Sequence, residues 1–103
     1  MSRGDRRLID GPAGPLEILL EGSIETAPRA YGVVCHPHPL QGGTLDNKVV
    51  YALARALQDV GLPTLRFNYR GVGRSTGHYD EGQGETLDAL AVAAWGAARR
   101  PGA

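Results

Sequence analysis

The sequence predicts an α/β fold in which an opening β-hairpin is followed by strand, helix, strand and helix, the later strands being parallel. Three observations carry that expectation. The brief run Ala30 to Cys35 is apolar without alternation, as in a central strand buried on both faces. Val49, Val50, Leu53, Ala54, Leu57 and Val60 recur at helical spacing along one face, with Arg55, Gln58 and Asp59 opposite. Thr64 to Tyr69 alternates, setting Leu65, Phe67 and Tyr69 on one side and polar groups on a wetter one. Strand, helix and strand in that order imply a right-handed crossover and a parallel pair.

Taken in order, residues 1–7 are charged and small and are expected to form a mobile tail. Leu8 to Asp10 and Leu16 to Glu21 read as the two arms of the hairpin, around the turn residues Gly11-Pro12-Ala13-Gly14-Pro15. A polar connection, Gly22 to Arg29, leads to the central strand. The helix from Lys48 to Val60 is expected to take Asp46 or Thr44 as its cap and to stop at Gly61 and Pro63. After the alternating strand comes a glycine-rich loop, Arg70 to Gly84. A second helix then starts at about Glu85, with Leu87, Leu90, Ala91, Ala94, Trp95 and Ala98 on one stripe. Arg99 and Arg100 suit the negative end of that helix, and Pro101 and Gly102 break it. Such a helix normally hands the chain to a further strand, and the sequence stops at that turn.

The totals narrow the function classes. A length of 103 residues suits one small domain, or part of one. Eleven basic and eleven acidic side chains cancel, and no basic cluster exceeds the pairs Arg6-Arg7 and Arg99-Arg100, so nucleic acid is not an expected partner. The apolar stretches fall well short of the roughly 20 residues that a membrane span needs. No apolar run follows Met1 to Arg7 as in a signal peptide, and one cysteine allows no internal disulfide, so a cytoplasmic location is expected.

Chemistry concentrates in Cys35-His36-Pro37-His38-Pro39-Leu40-Gln41-Gly42-Gly43. Two prolines remove two amide donors and leave those of His36, His38 and Leu40 near the strand end. Outside the carboxyl end of a strand is where α/β sheets commonly bind ligands. Cys35, His36 and His38 are competent metal ligands, but on extended chain the first two point to opposite sides and no second ligand pair follows, so no metal is expected. Without an electropositive neighbour, Cys35 reads as a small buried hydrophobe rather than a nucleophile.

Gly73-Arg74-Ser75-Thr76-Gly77 matches G-x-S-x-G literally. A nucleophile elbow needs an apolar helix directly after the serine, whereas His78, Tyr79, Asp80 and Glu81 follow here, so Ser75 is not expected to be the nucleophile. Gly71, Gly73 and Gly77 have neither the spacing of a dinucleotide fingerprint nor the Gly-Lys-Ser/Thr end of a P-loop. Arg70 and these glycines read as loop architecture, and Asp80, Glu81, Glu85 and Asp88 as a structural answer to the helix dipole.

Two blocks, Cys35 to Val50 and Arg66 to Ser75, carry Cys-His-Pro, Gly-Gly, Asn-Lys-Val-Val and Arg-Phe-Asn-Tyr-Arg-Gly-Val-Gly-Arg-Ser in order. The chain thereby resembles the amino-terminal half of α/β-hydrolase superfamily proteins, in particular small bacterial members, over roughly Leu8 to Pro101. The resemblance implies a single partial α/β-hydrolase domain over residues 1–103. It implies that the loop after the third strand supplies an oxyanion donor. His36-Pro37-His38 matches the family's His-Gly-X, which nominates the backbone NH of His38, with Leu40 as second choice. In the family the nucleophile, acid and base follow in the order Ser, Asp or Glu, His, all beyond the point matched by Ala103. The implied whole protein is a serine hydrolase acting on esters or related acyl compounds, with a small-molecule acyl substrate and without a cofactor, and the 103-residue chain alone is expected to be inactive. The family's strand order also leaves the third strand as an open edge here. A non-enzymatic module completed by a partner chain or by self-association is therefore the alternative expectation.

Overall fold

A computed structural model describes residues 4–25, 30–36, 38 and 43–99. Strands β1 (Gly4–Ile9) and β2 (Leu16–Glu21) form the expected hairpin, paired antiparallel from Gly4 opposite Glu21 to Ile9 opposite Leu16. β1 begins four residues before Leu8, so residues 4–7 lie in the sheet and not in a tail. Their charges suit an edge strand. Arg6 bonds Asp46 at 2.8 Å and is ion-paired with Glu17 at 3.6 Å, while Arg7 pairs with Asp5 and lies 5.5 Å from the Trp95 ring.

Next come β3 (Gly32–Val34), α1 (Lys48–Asp59), β4 (Thr64–Phe67) and α2 (Gln83–Arg99). The sheet order is β1-β2-β4-β3, with β2 and β4 antiparallel and β3 and β4 parallel. The crossover from β3 through α1 to β4 is thus the one that the apolar periodicity predicts. The two helices cover opposite faces. Under α2, Ile18, Leu65, Phe67 and Val92 form the main core, with Trp95 and Tyr69 packed against it. Under α1, Val34, Val50 and Ala54 form a smaller one with Leu57.

Several local expectations are corrected. α1 is capped by Asn47, whose Oδ1 accepts from the amides of Val49 (2.9 Å) and Val50 (3.4 Å). Asp46 is drawn to Arg6, and Thr44 accepts instead from the Asp46 amide. At the other end the Gly61 and Leu62 amides bond the carbonyls of Gln58 and Leu57, the paired closure of a Schellman turn. The apolar stripe of α1 is split: Val50 and Ala54 are buried, whereas Val49, Leu53 and Val60 are exposed because the helix overhangs the β3 edge.

The polar side of β4 is not wet. Thr64, Arg66 and Asn68 are buried, since α1 and the segment before it cover that face. Every polar group there is answered, as burial demands. Gln58 donates to Thr64 (2.9 Å), and Arg66 donates twice to Glu21 (2.9 and 2.6 Å) and once to the Leu45 carbonyl (3.1 Å).

α2 buries a different stripe from the expected one, namely Gly84, Glu85, Asp88, Val92 and Gly96, leaving Leu87 and Leu90 exposed. Close approach and a buried ion pair select it. A β-carbon at Gly96 would stand 2.7 Å from the Tyr31 ring and 2.9 Å from Leu65. Asp88 is drawn in by Arg70.

Candidate active site at the carboxyl ends of the parallel strands

Because β3 and β4 are parallel, their carboxyl ends lie side by side and the loops leaving them meet. From β3 come Cys35, His36 and His38, and from β4 come Asn68 to Gly82. His36 is buried, and its Nε2 accepts the Tyr69 amide hydrogen at 3.1 Å. An amide can only donate, so Nε2 carries no proton and the ring acts as an acceptor. The ring also stands edge-on to Tyr69, with centroids 4.6 Å apart. His38 is exposed; its Nε2 lies 3.1 Å from the Tyr79 hydroxyl, and its carbonyl accepts the Gly43 amide at 3.3 Å. Both rings therefore pack on the loop after β4. Pro37, Pro39, Leu40, Gln41 and Gly42 lie outside the described residues, so the second-choice donor Leu40 has no structural account.

Cys35 is exposed, not buried, because it ends the strand at the sheet edge. Burial pushes the Tyr69 hydroxyl well above its ordinary value, and a hydrogen bond to the Cys35 thiol adds to the shift, so the phenol stays protonated. Among the described residues no group of three His, Cys, Asp or Glu side chains converges as a metal site.

Two polar latches hold the loop that faces His36 and His38. In one, Arg70 wraps Asp88: Nε donates to Oδ2 (3.1 Å), Nη2 to Oδ1 (3.0 Å) and to the Gly84 carbonyl (2.9 Å), and the Arg70 amide to Oδ2 (3.0 Å). In the other, Glu17 Oε1 accepts from Asn68 Nδ2 (2.8 Å) and from the Arg74 amide (2.9 Å), while Asn68 Oδ1 accepts from the Leu45 amide (2.8 Å). Gly73 sits over this latch with φ of 54°, and a β-carbon there would meet Asn68 Nδ2 and Glu17 Oε1 at 2.5 and 2.7 Å. Ser75 completes it: the buried Oγ donates to the Asn68 carbonyl (2.6 Å) and accepts from the Glu17 amide (2.8 Å). The serine of the literal G-x-S-x-G is therefore engaged with backbone in a turn, and the next helix starts only at Gln83.

Glu85 sets the start of α2 by accepting from the amides of Asp80 (2.8 Å) and Gly82 (2.9 Å), the latter half of a capping box. Burial pushes its carboxyl up, but the amides of Asp80, Glu85 and Gly82 and the Arg70 guanidinium outweigh that and hold it below the usual 4.5. A lowered folded value gives stability that is present above the unfolded value and lost as pH falls through the folded one. As pH falls below about 4.5, the wild type should lose more stability than Glu85→Gln in urea titrations. Parallel losses in the two proteins would remove this role from Glu85.

Sequence reasoning did not single out Glu17, Asn68, Tyr69 or Tyr79. Glu17 carries a signal, a lone acid inside the apolar run Leu16 to Leu20, and Asn68 is the polar step of the β4 alternation. Neither signal names a partner 51 positions away.

No protein-family model matches the sequence. The structure is similar to an α/β serine hydrolase homologue from Coxiella burnetii, at 50% identity over 88% of this chain with a TM-score of 0.77. It is also similar to a putative α/β hydrolase of unknown function from Agrobacterium tumefaciens, at 41% identity over 94% of the chain with a TM-score of 0.85. The chain belongs to the α/β-hydrolase superfamily. An α/β serine hydrolase without a lid, from Xanthomonas campestris, is similar at 41% identity over 96% of the chain with a TM-score of 0.83. This α/β-hydrolase chain spans 44–46% of the length of those three structures and corresponds to their amino-terminal part. Among the described residues no helix is long and apolar enough to cross a membrane.

Proposed function

We propose that this chain contributes the oxyanion-binding part of a cytoplasmic serine hydrolase that acts on esters or related acyl compounds through an acyl-enzyme. The observation that supports this best is its likeness to serine hydrolase homologues over nearly all its length, with the Cys35–His38 segment at the carboxyl end of β3. In this reading the His38 amide, or that of Leu40, donates to the oxygen that gains charge as the carbonyl is attacked. A donor already aimed at that oxygen loses nothing to reorganisation. The His36 ring, whose Nε2 accepts from the Tyr69 amide, fixes the start of the loop, and Tyr79 braces His38. The nucleophile, acid and base come from sequence matching the remainder of the relatives, and no cofactor takes part.

The test is a chimera of residues 1–99 with the complementary part of the Xanthomonas relative. It is expected to be labelled by a fluorophosphonate and to hydrolyse a p-nitrophenyl ester. A folded chimera that stays unlabelled, while the parent relative is labelled, would sink the reading. His38→Pro in an active chimera should lower kcat about 10²- to 10³-fold with little change in KM; an unchanged kcat removes the role from His38. The 103-residue chain alone should show no turnover. Ser75→Ala in it should lower stability by about 1–2 kcal/mol through the lost latch. Ester turnover by that chain, abolished by Ser75→Ala, would restore the serine as nucleophile.

A further inference from the structure

His36 is buried where the carboxyl ends of β3 and β4 meet, and its Nε2 accepts the Tyr69 amide hydrogen at 3.1 Å. The neutral ring then carries its one proton on Nδ1, so a second proton can enter only at Nε2. That proton would set two N–H donors against each other in a buried place, and the bond would be lost. The neighbouring contact behaves differently. His38 is exposed, with Nε2 3.1 Å from the Tyr79 hydroxyl, and a hydroxyl can donate or accept. His38 can therefore gain a proton and keep its partner, whereas His36 cannot.

The ionisable groups around His36 bear on the sign. Its own segment brings Cys35 and His38. The β4 loop brings Arg70 and Tyr69, whose phenol bonds the Cys35 thiol and stays protonated. From α2, the charges of Asp88 and Glu85 reach that phenol. Asp88 is matched by Arg70, and Glu85 is held by the amides of Asp80 and Gly82, so both carboxylates are already engaged. On the side of α1, Asp46 is drawn to Arg6 and Lys48 is exposed.

We propose that His36 is an acid-released latch: one proton on Nε2 frees the carboxyl end of β3 from the loop after β4 as pH falls through the ordinary imidazole range, from about pH 8 to about pH 5. The bond is present while the ring is neutral and is lost as pH falls, before the Glu85 carboxyl begins to titrate. What the latch controls rests on the function proposed above. His36 is a positioning residue for the amide of His38, two residues on, so the oxyanion donor is held in place while the ring is neutral and released once it is charged. The device needs no further segment, because both of its halves lie on the described strands and loops.

NMR of the 103-residue chain tests this, with the ring nitrogens of His36 and amide hydrogen exchange followed from about pH 8 to about pH 5. As the His36 ring gains its proton, the protection factor of the Tyr69 amide should fall about tenfold, the scale of one hydrogen bond, while Leu65 and Phe67 inside β4 keep theirs. His36→Gln, whose Oε1 can accept from the same amide and takes no proton in this range, should keep Tyr69 protected throughout. His38→Gln should retain the wild-type response. A ring that titrates without loss of protection at Tyr69, a ring that stays neutral to the acid end of the range, or a response that persists in His36→Gln would overturn the latch. If His36→Gln does not fold, the wild-type comparison of ring titration with Tyr69 protection decides alone. None of these readings needs turnover, so failure of the latch is distinct from failure of the hydrolase reading, which labelling of the chimera decides.

Discussion

Replacing Asp88 by alanine is expected to destabilise the fold by about 3–5 kcal/mol, the scale on which a buried ion pair loses one member. Asp88 is fully buried, and the side chain of Arg70 is 12% exposed. Four hydrogen bonds from three donor groups converge on Asp88 or its helix turn: those of the Arg70 amide, Nε and Nη2, the last serving both Asp88 and the Gly84 carbonyl. Without the carboxylate the guanidinium stays beneath α2, where a β-carbon on Gly84 would already collide with it, and water has little room to replace the lost acceptor. Chemical denaturation followed by circular dichroism measures the loss. The double replacement Arg70→Met with Asp88→Leu should lose less than Asp88→Ala alone, because no charge is then stranded. If the single replacement costs under about 1 kcal/mol, the pair is not what seats α2 on the sheet.

The second large effect is expected at Glu17, where alanine should cost about 2–4 kcal/mol by stranding one buried and one half-buried donor. Oε1 of this residue accepts from Asn68 Nδ2 and the Arg74 amide, and its own backbone bonds Asn68 and Ser75. The backbone bonds survive the substitution, so the loss should appear locally. The Arg74 amide should exchange with deuterium faster than the amides of β4, and Glu17→Gln, which keeps an acceptor oxygen, should recover part of the protection. Unchanged exchange at Arg74 would mean that backbone bonds alone hold the turn. This latch matters to the candidate site because it anchors the loop that carries Tyr69 and Tyr79 against the two histidines.

Both latches belong to what the sequence shows only in part. Arg70, Asp88, Asn68 and Ser75 are visible as polar residues, but they are 18 and 7 positions from partners that the chain order does not indicate. Periodicity records which faces are apolar, not what covers them. That is why the polar face of β4 reads as wet although Arg66 is buried against Glu21, and why the stripe Leu87, Leu90 and Ala94 reads as the core face of α2. In both cases buried ion pairs, together with the close approach allowed by Gly96, outrank the simple apolar count.

By itself the sequence determined the class of fold, the order of its elements and the family. Those depend on local periods of two and 3.6 residues, on turn residues and on two contiguous motif blocks. It also marked the Cys35–Gly43 loop as the chemically unusual stretch, since prolines and histidines after an apolar strand are a local signal. The tertiary structure alone decided that residues 4–7 extend the sheet, that Asn47 caps α1, that Cys35 stands exposed and that Ser75 ties one loop to β2. Each of these outcomes is a competition between partners distant along the chain, and geometry in space settles such competitions.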